Sequence, residues 1–490
     1  MAFGIDFGTT NSAVVYNRNT CLYTNEGNPF PSIVALHKVT GDCICGPEAK
    51  RRKQELQDDG YLVVTSVKTQ LDDPAPLGTI QGRLCSAQDI ATELFKALKE
   101  HVRSQSARTG GAELVRAAVS IPVGFPPERR RVLRTCAERA GIEITDFVSE
   151  PTAAFIYCRR QMPECSRVAV FDWGGGTLDV SVLQIRDNEI HELVTEGLQE
   201  AGDRIDLRLA EWAHAQIMNG RVAAPPFDAI PPSEQWKLRW ECERAKTQLS
   251  HTSSTHILLP RYLDATNVAH PIDRATLNEL VAPFIDRAVE TLDKALSRAA
   301  MRSGRGDVDR VLLIGGSSKL SALGERLRQI FKNRVYCPEQ PDWVVAQGAS
   351  YLAEHPGSYK LTQDLSLELC DGSEFKLARR GDRFNDQWRR HHLGIVEESE
   401  SAQIVFAEPL TADPIAIDTS PKLRRLDNIS VPMQGFYRER LRLDSRLTRD
   451  LMFEVRAQSA NADEHNAAHW IYWSYAQPRC AYSIAAESSR

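Results

Sequence analysis

Residues Val168–Leu183 read VAVFDWGGGTLDVSVL. Apolar residues lead to Asp172, the small residues Gly174, Gly175, Gly176 and Thr177 follow, and an alternating apolar run closes the segment. Val- and Leu-rich flanks around a glycine turn predict two strands joined by a tight hairpin. Ala2–Tyr16, AFGIDFGTTNSAVVY, follows the same plan, with Asp6 ahead of Gly8-Thr9-Thr10-Asn11-Ser12 and apolar Ala13–Val15 behind it. Val311–Leu320, VLLIGGSSKL, is a third relative, a buried strand ending in Gly315-Gly316. The paired hairpins predict an internal duplication, each half an α/β unit whose first hairpin points at a shared cleft.

Helical patterns fall where such units need them. Ala87–Arg103 carries Ile90, Ala91, Leu94, Leu98 and Val102 at helical spacing. Pro127–Ala140 opens on a proline and stops before Gly141. Pro232–Ser250 and Ile272–Met301 are long amphipathic stretches, and Asp203, Arg204 and Asp206 read as shaping the turn after Gly202. Near His355 the texture changes to short alternating pieces: Leu365–Leu369, Phe375–Ala378, Ser401–Phe406, Ile415–Asp418, Asn428–Val431, Glu439–Leu443 and Leu451–Arg456. They predict a small all-β domain. An aromatic stretch, Trp470–Tyr475, reads as exposed tail, edge strand or docking peptide.

The 490 residues predict about two to four domains. A hydrophobic share of 42% and a charged share of 26% exclude collagenous, mucin-like and wholly disordered chains. A net charge of −5 gives no electrostatic footprint for nucleic acid or an anionic membrane. No apolar run approaches the ~20 residues that span a bilayer, and the N-terminus lacks the basic start of a secretory signal. The 11 cysteines are an odd, scattered set in which only Cys43 and Cys45 lie close together. They read as reduced cytoplasmic thiols.

Glycine turns leave backbone N–H groups free to converge on phosphate oxygens. Asp6 and Asp172, each one residue ahead of its turn, and Asp179 on the return strand suit Mg²⁺ held through its waters. Thr9, Thr10 and Thr177 add hydroxyls. No P-loop, GxGxxG, GxSxG or HExxH pattern is present in a usable position, so the phosphate site is of another type.

GIDFGTTNSAVV, FDWGGGTLDVSV and LLIGGSSKL resemble, in order and spacing, the three nucleotide-binding motifs of the 70-kilodalton heat-shock (Hsp70) chaperones, members of the actin-like ATPase superfamily that also holds sugar kinases. VVTSVKTQL (Val63–Leu71) resembles the region of that family's catalytic lysine, SIPVGFPPERRR (Ser120–Arg131) its interdomain relay, SEPTAAF (Ser149–Phe155) its connecting helix and ERAKTQLS (Glu243–Ser250) its adenosine-binding helix. The resemblance implies that Lys68 orients the attacking water, that Glu150 and Thr177 help position it, and that Asp6, Asp172 and Asp179 hold Mg²⁺. It places Gly8, Thr9, Thr10, Asn11, Gly174, Gly175, Gly176 and Gly202 on the phosphates of ATP or ADP. Glu243, Lys246 and Ser250 fall on the ribose and base, Gly315, Gly316, Ser317 and Lys319 on the opposite side, and Asp342 at the base's far edge. Pro122 and Arg130 become the relay. Trp173 is bulkier than the family's usual aliphatic residue, and Lys319 stands where an arginine commonly stacks on adenine.

The implied fold is α/β: a duplicated actin-like ATPase with two lobes around a nucleotide cleft (1–355), a linker (356–364), a small all-β sandwich-like domain (365–458) and a C-terminal tail (459–490). The family's helical lid is not expected in the ~30 residues after Gln458. The expected function is an ATP-binding, slowly hydrolysing chaperone in the cytoplasm. Its expected partners are a polypeptide client or one dedicated protein, with a J-domain co-chaperone and a nucleotide-exchange factor. A nucleotide switch without turnover and a small-molecule kinase of the same superfamily are the alternatives.

Overall fold

The computed structural model describes residues 2–219, 225–263, 266–304, 307–355, 358–396, 398–409, 423–435, 438–461, 469–473 and 480–483. The chain divides into two compact units. The first comprises Met1–Val123, Arg131–Ile185 and Leu193–His355; the second comprises Gly124–Arg130, Arg186–Glu192 and Pro356–Arg490.

The first unit contains the duplication. One sheet runs Glu143–Ser149, Arg116–Ile121, Phe3–Asp6, Asn11–Tyr16, Thr20–Cys21 in spatial order. The other runs Val335–Tyr336, Arg310–Ile314, Arg167–Trp173, Leu178–Arg186, Glu189–Leu198. In both, the leading strand of the hairpin sits centrally, antiparallel to its return strand and parallel to its other neighbour. The two halves therefore share one strand order, and Arg310–Ile314, the third glycine-ended strand, holds the place that Arg116–Ile121 holds in the first half. The central strands are apolar almost throughout because both faces are covered: Phe3, Ile5, Val119, Phe171, Val180 and Leu312 are at most 1% exposed.

The helices begin and end on readable signals. Ala87–Ser104 starts from a capping box, Ser86 with Asp89. Pro127–Arg139 and Pro232–Leu249 start on their prolines. The long helix is Arg274–Ser303, two residues later than the pattern predicts, because Ile272 and Asp273 belong to the strand Thr266–Asp273 and Asp273 caps the helix through the Thr276 N–H at 2.8 Å. No helix among the described residues is long and apolar enough to cross a membrane.

The second unit is built from antiparallel strands. One sheet runs Glu374–Ala378, Leu365–Glu368, Ser401–Pro409, Leu423–Pro432; the other runs Arg389–Gly394, Arg440–Leu447, Phe453–Ser459, His469–Trp473. Phe406 of one sheet meets Phe453 of the other edge to face at 6.4 Å, with Ile404, Val431, Leu443 and Val455 buried. Arg389–Gly394 was not legible as a strand: RRHHLG has no apolar alternation, as suits a charged sheet edge. The stretch read as a linker carries a strand, Ser358–Leu361, antiparallel to Cys480–Ser483, which also pairs with Glu189–His191. Ile415–Asp418 lies outside the described residues, as do 474 and 475 of the aromatic stretch, whose residues 470–473 fall in the strand His469–Trp473.

Candidate functional site

A cavity of about 260 Å³ opens in the first unit, lined by both hairpin turns and by the third glycine turn. The register of the hairpins sets its floor. Asp6 pairs with Ala13 at the end of one central strand, and Asp172 pairs with Asp179 at the end of the other. Three carboxylates are thereby delivered to one cleft by strands whose neighbouring residues are buried.

Lys68 enters from a separate element. The strand Tyr61–Thr65 ends at Ser66, whose φ of +59° turns the chain into the one-turn helix Val67–Gln70. The Lys68 ammonium, 4% exposed, donates to Glu150 Oε1 at 2.8 Å. Glu150 stands in the first turn of the helix Glu150–Cys158, where the positive helix end favours a carboxylate, and Ser149 caps that helix through the Thr152 N–H.

This pocket holds more negative than positive charge. Burial, then the Glu150 charge, pushes Asp6 up to about 6, against the opposing pull of Lys68 and of the Ser120 hydroxyl at 2.7 Å. Burial and Glu150 likewise push Asp179 up to about 6, and Asp172 is held well above the usual carboxylate range by burial, Glu150, Asp6 and Asp179. Such a cluster suits a cation. Among the described residues no three acidic, His or Cys side chains converge tightly enough to ligate a metal directly. The donor set therefore fits a hydrated Mg²⁺ contacted through its waters, and fits bare multidentate ligation poorly.

The glycine turns are locked to one another. Gly174 N–H donates to Thr177 O at 3.0 Å, and the Gly174 carbonyl accepts from Gly202 N–H at 3.2 Å and from the Ser317 hydroxyl at 2.8 Å. Glycine is required at two points. A Cβ on Gly175 would stand 2.8 Å from Thr10 Oγ1, and Gly315 combines a φ of +80° with a Cβ position 2.5 Å from the Trp173 carbonyl. Trp173, which the resemblance marks as a departure, is fully buried. Its indole N–H donates to Glu200 O at 3.2 Å and its ring meets Phe171 edge-on at 6.1 Å, so the bulk is spent in the core beneath the turn.

On the other wall, Glu243, Lys246, Thr247 and Ser250 line the cavity from the helix Pro232–Leu249 and its cap. Glu243 accepts from Lys50 at 2.8 Å, and Lys246 meets Asp206 at 2.7 Å. Burial raises Asp206 to about 6, Lys246 opposing. Burial also disfavours the Glu243 charge, but Lys50 and Lys246 outweigh it and hold that carboxyl below its usual range. Lys319 pairs with Asp342 Oδ2, while Asp342 Oδ1 is buried without a hydrogen-bond partner.

Residues 2–390 match the family model described as Hsp70 protein. The chain belongs to the Hsp70 family. Its first unit has the actin-like ATPase fold, and proteins of this family are ATP-binding chaperones that hydrolyse ATP, use Mg²⁺ and engage polypeptide clients and co-chaperones.

Within this Hsp70 cleft the structure gathers Asp6, Gly8, Thr9, Thr10, Asn11, Lys68, Pro122, Glu150, Asp172, Gly174, Gly175, Gly176, Thr177 and Asp179. Gly202, Glu243, Lys246, Ser250, Gly315, Gly316, Ser317, Lys319 and Asp342 complete the lining among the residues singled out from sequence. Arg130 is elsewhere. It lies in the second unit, 4% exposed, with Nε donating to Phe125 O at 3.0 Å and Nη1 to the carbonyls of Asp450 and Leu451 at 2.9 Å. Sequence reasoning missed Lys50, on the short helix Gly46–Arg51, and misread Asp203 and Asp206. These two belong to the first turns of the helix Gly202–Met218 and line the cleft. Acidic residues in a first helical turn next to a phosphate-type glycine were the available signal.

Proposed function

We propose that this chain binds ATP with Mg²⁺ in the cleft, hydrolyses it slowly, and uses the bound nucleotide to set its grip on a polypeptide partner. The observation that carries the reading is the convergence of both glycine turns, the buried Lys68–Glu150 pair and three crowded aspartates on one cavity. Backbone N–H groups of Gly8–Asn11, Gly175 and Gly176 would cradle the phosphates, with Gly174 and Gly202 holding the turns that line them and Gly315–Ser317 closing the other side of the nucleotide. Glu243, Lys246 and Ser250 would hold the ribose and base, and the unpartnered Asp342 Oδ1 offers an acceptor to a base amino group. Lys68 would direct the attacking water and stabilise charge on the γ-phosphate, with Glu150 fixing the ammonium and Thr177 aiding the water. Asp6, Asp172 and Asp179 would contact Mg²⁺ through its waters, and the ion when bound supplies positive charge to the phosphate oxygens.

Pro122 and Arg130 would carry the nucleotide state toward the second unit, where a polypeptide client or one dedicated protein would bind. A J-domain protein and an exchange factor would act on the cycle. The free cysteines, Cys21 to Cys370 among the described residues, accord with a reducing cytoplasmic setting.

The pH dependence follows from the carboxylates. Asp6 and Asp179 keep their protons to about pH 6 in the folded protein, against about 3.9 for an unperturbed aspartate. Their contribution to the stability of the nucleotide-free protein therefore falls as pH rises from about 4 through about 6. A cation needs the deprotonated forms, so ATP turnover should drop as pH falls through about 6. A pH profile of kcat/KM for MgATP, which reports the groups of the free enzyme, checks this. A profile that stays flat from pH 7.5 to about 5, or turnover that is absent throughout, contradicts the reading.

A further inference from the structure

Away from the nucleotide cleft, the strand Cys43–Cys45 forms the edge of a three-stranded sheet and pairs on one side with Ile33–His37, Leu36 opposite Cys43 and Val34 opposite Cys45. Ile44 packs against the small core of Ile33, Ala35, Ala49 and Leu56. Alternation along the strand places both cysteines on the other face. Their sulfurs are 3.4 Å apart, in hydrogen-bond contact, with Cys43 exposed and Cys45 half-buried. Neither thiol is spent on structure. Cys45 precedes the helix Gly46–Arg51 but its side chain makes no capping bond.

We propose that Cys43 and Cys45 form a reactive dithiol that exchanges with low-molecular-weight disulfides, closing to an intramolecular disulfide and reopening under reducing thiols. Residues i and i+2 of an extended strand lie about 6.6 Å apart at Cα, within the ~4.4–6.8 Å that a disulfide spans. Closing the sulfurs from 3.4 Å to the ~2.05 Å bond length also brings the Cβ atoms to ~3.5–4.5 Å, so the strand must pucker between Cys43 and Cys45, which its place at the sheet edge and the positive φ of Gly46 allow. Cys43 is the attacking sulfur. The Cys45 hydrogen bond holds its thiol below the usual range, while the same contact and burial push the Cys45 thiol up. Glu93 and Lys96, themselves an ion pair on the helix Ala87–Ser104, face the pair with opposing effects on Cys43.

The chemistry balances. The Cys43 thiolate attacks one sulfur of the small disulfide, forms a mixed disulfide and expels one thiolate, which takes up a proton. Cys45 loses its proton, attacks Cys43 Sγ and expels the second small thiol. Two electrons pass from the protein to the small disulfide, giving one ring disulfide and two small thiols.

The test uses the reduced full-length protein with oxidised glutathione at neutral pH, alkylation and tryptic mass mapping. Cleavage after Lys38 and Lys50 isolates Val39–Lys50, which contains only these two cysteines. The expected result is that this peptide becomes two hydrogens lighter at least about tenfold faster than the exposed Cys337 and Cys370 are modified, and that reduced glutathione restores it. Cys45→Ser should trap the glutathione adduct on Cys43, and Cys43→Ser should leave Cys45 unmodified. The proposal is overturned if Val39–Lys50 keeps both thiols while Cys337 or Cys370 reacts, if the wild type stops at the mixed disulfide, or if Cys43→Ser forms the adduct as fast as Cys45→Ser. None of these readouts depends on nucleotide turnover.

Discussion

Lys68→Ala should lower ATP turnover by about 10²–10³-fold, the loss typical of removing one preorganised donor from a charge-stabilising site. The ammonium is buried and held on Glu150 at 2.8 Å, inside a pocket that also contains Asp6, Asp172 and Asp179. Deleting it removes the positive charge aimed at the cleft and leaves four carboxyls facing one another. The glycine turns proposed to hold the phosphates are untouched, so MgATP should still bind. Single-turnover hydrolysis of pre-bound ATP separates the two effects. Turnover within threefold of wild type, or loss of binding alone, would rule out the role given to Lys68.

Trp173→Ala should destabilise the first unit by about 3–5 kcal/mol, the range for truncating a fully buried large aromatic. The ring is 0% exposed, packs on Phe171 and donates to Glu200 O, and its own carbonyl lies under Gly315. The cavity would sit directly beneath Gly174, so nucleotide affinity should fall together with stability. Trp173→Phe, which retains most of the volume but not the indole N–H, should recover more than half of the loss. Urea unfolding of the three proteins followed by far-UV circular dichroism measures both. A shift below about 1 kcal/mol for the alanine variant would show that the core tolerates the void.

Much of the first unit was legible because its signals are local. Asp6 and Asp172 ahead of glycine turns, Pro127 and Pro232 at helix starts and the helical spacing of Ile90, Leu94 and Leu98 each state their structure within a few residues. Most of the cavity lining was legible in the same way, since its residues cluster in short motifs. What escaped depends on partners distant in sequence. Lys50 carries no pattern until the fold sets it 2.8 Å from Glu243, and Asp206 reads as a turn residue until Lys246 is opposite it. The strand Ser358–Leu361 exists through its pairing with Cys480–Ser483, which no local periodicity announces. Arg130 follows a resembling motif, yet its bonds go to the backbone of Asp450 and Leu451 in the second unit.

Calorimetric titration of nucleotide into the purified chain, with and without Mg²⁺, tests the central claim most directly. The cleft described here predicts one ATP site per chain, competed by ADP, with affinity that falls when Mg²⁺ is chelated and when Glu243 is replaced by alanine. Absence of saturable binding, or binding unaffected by both Mg²⁺ removal and Glu243→Ala, would contradict it.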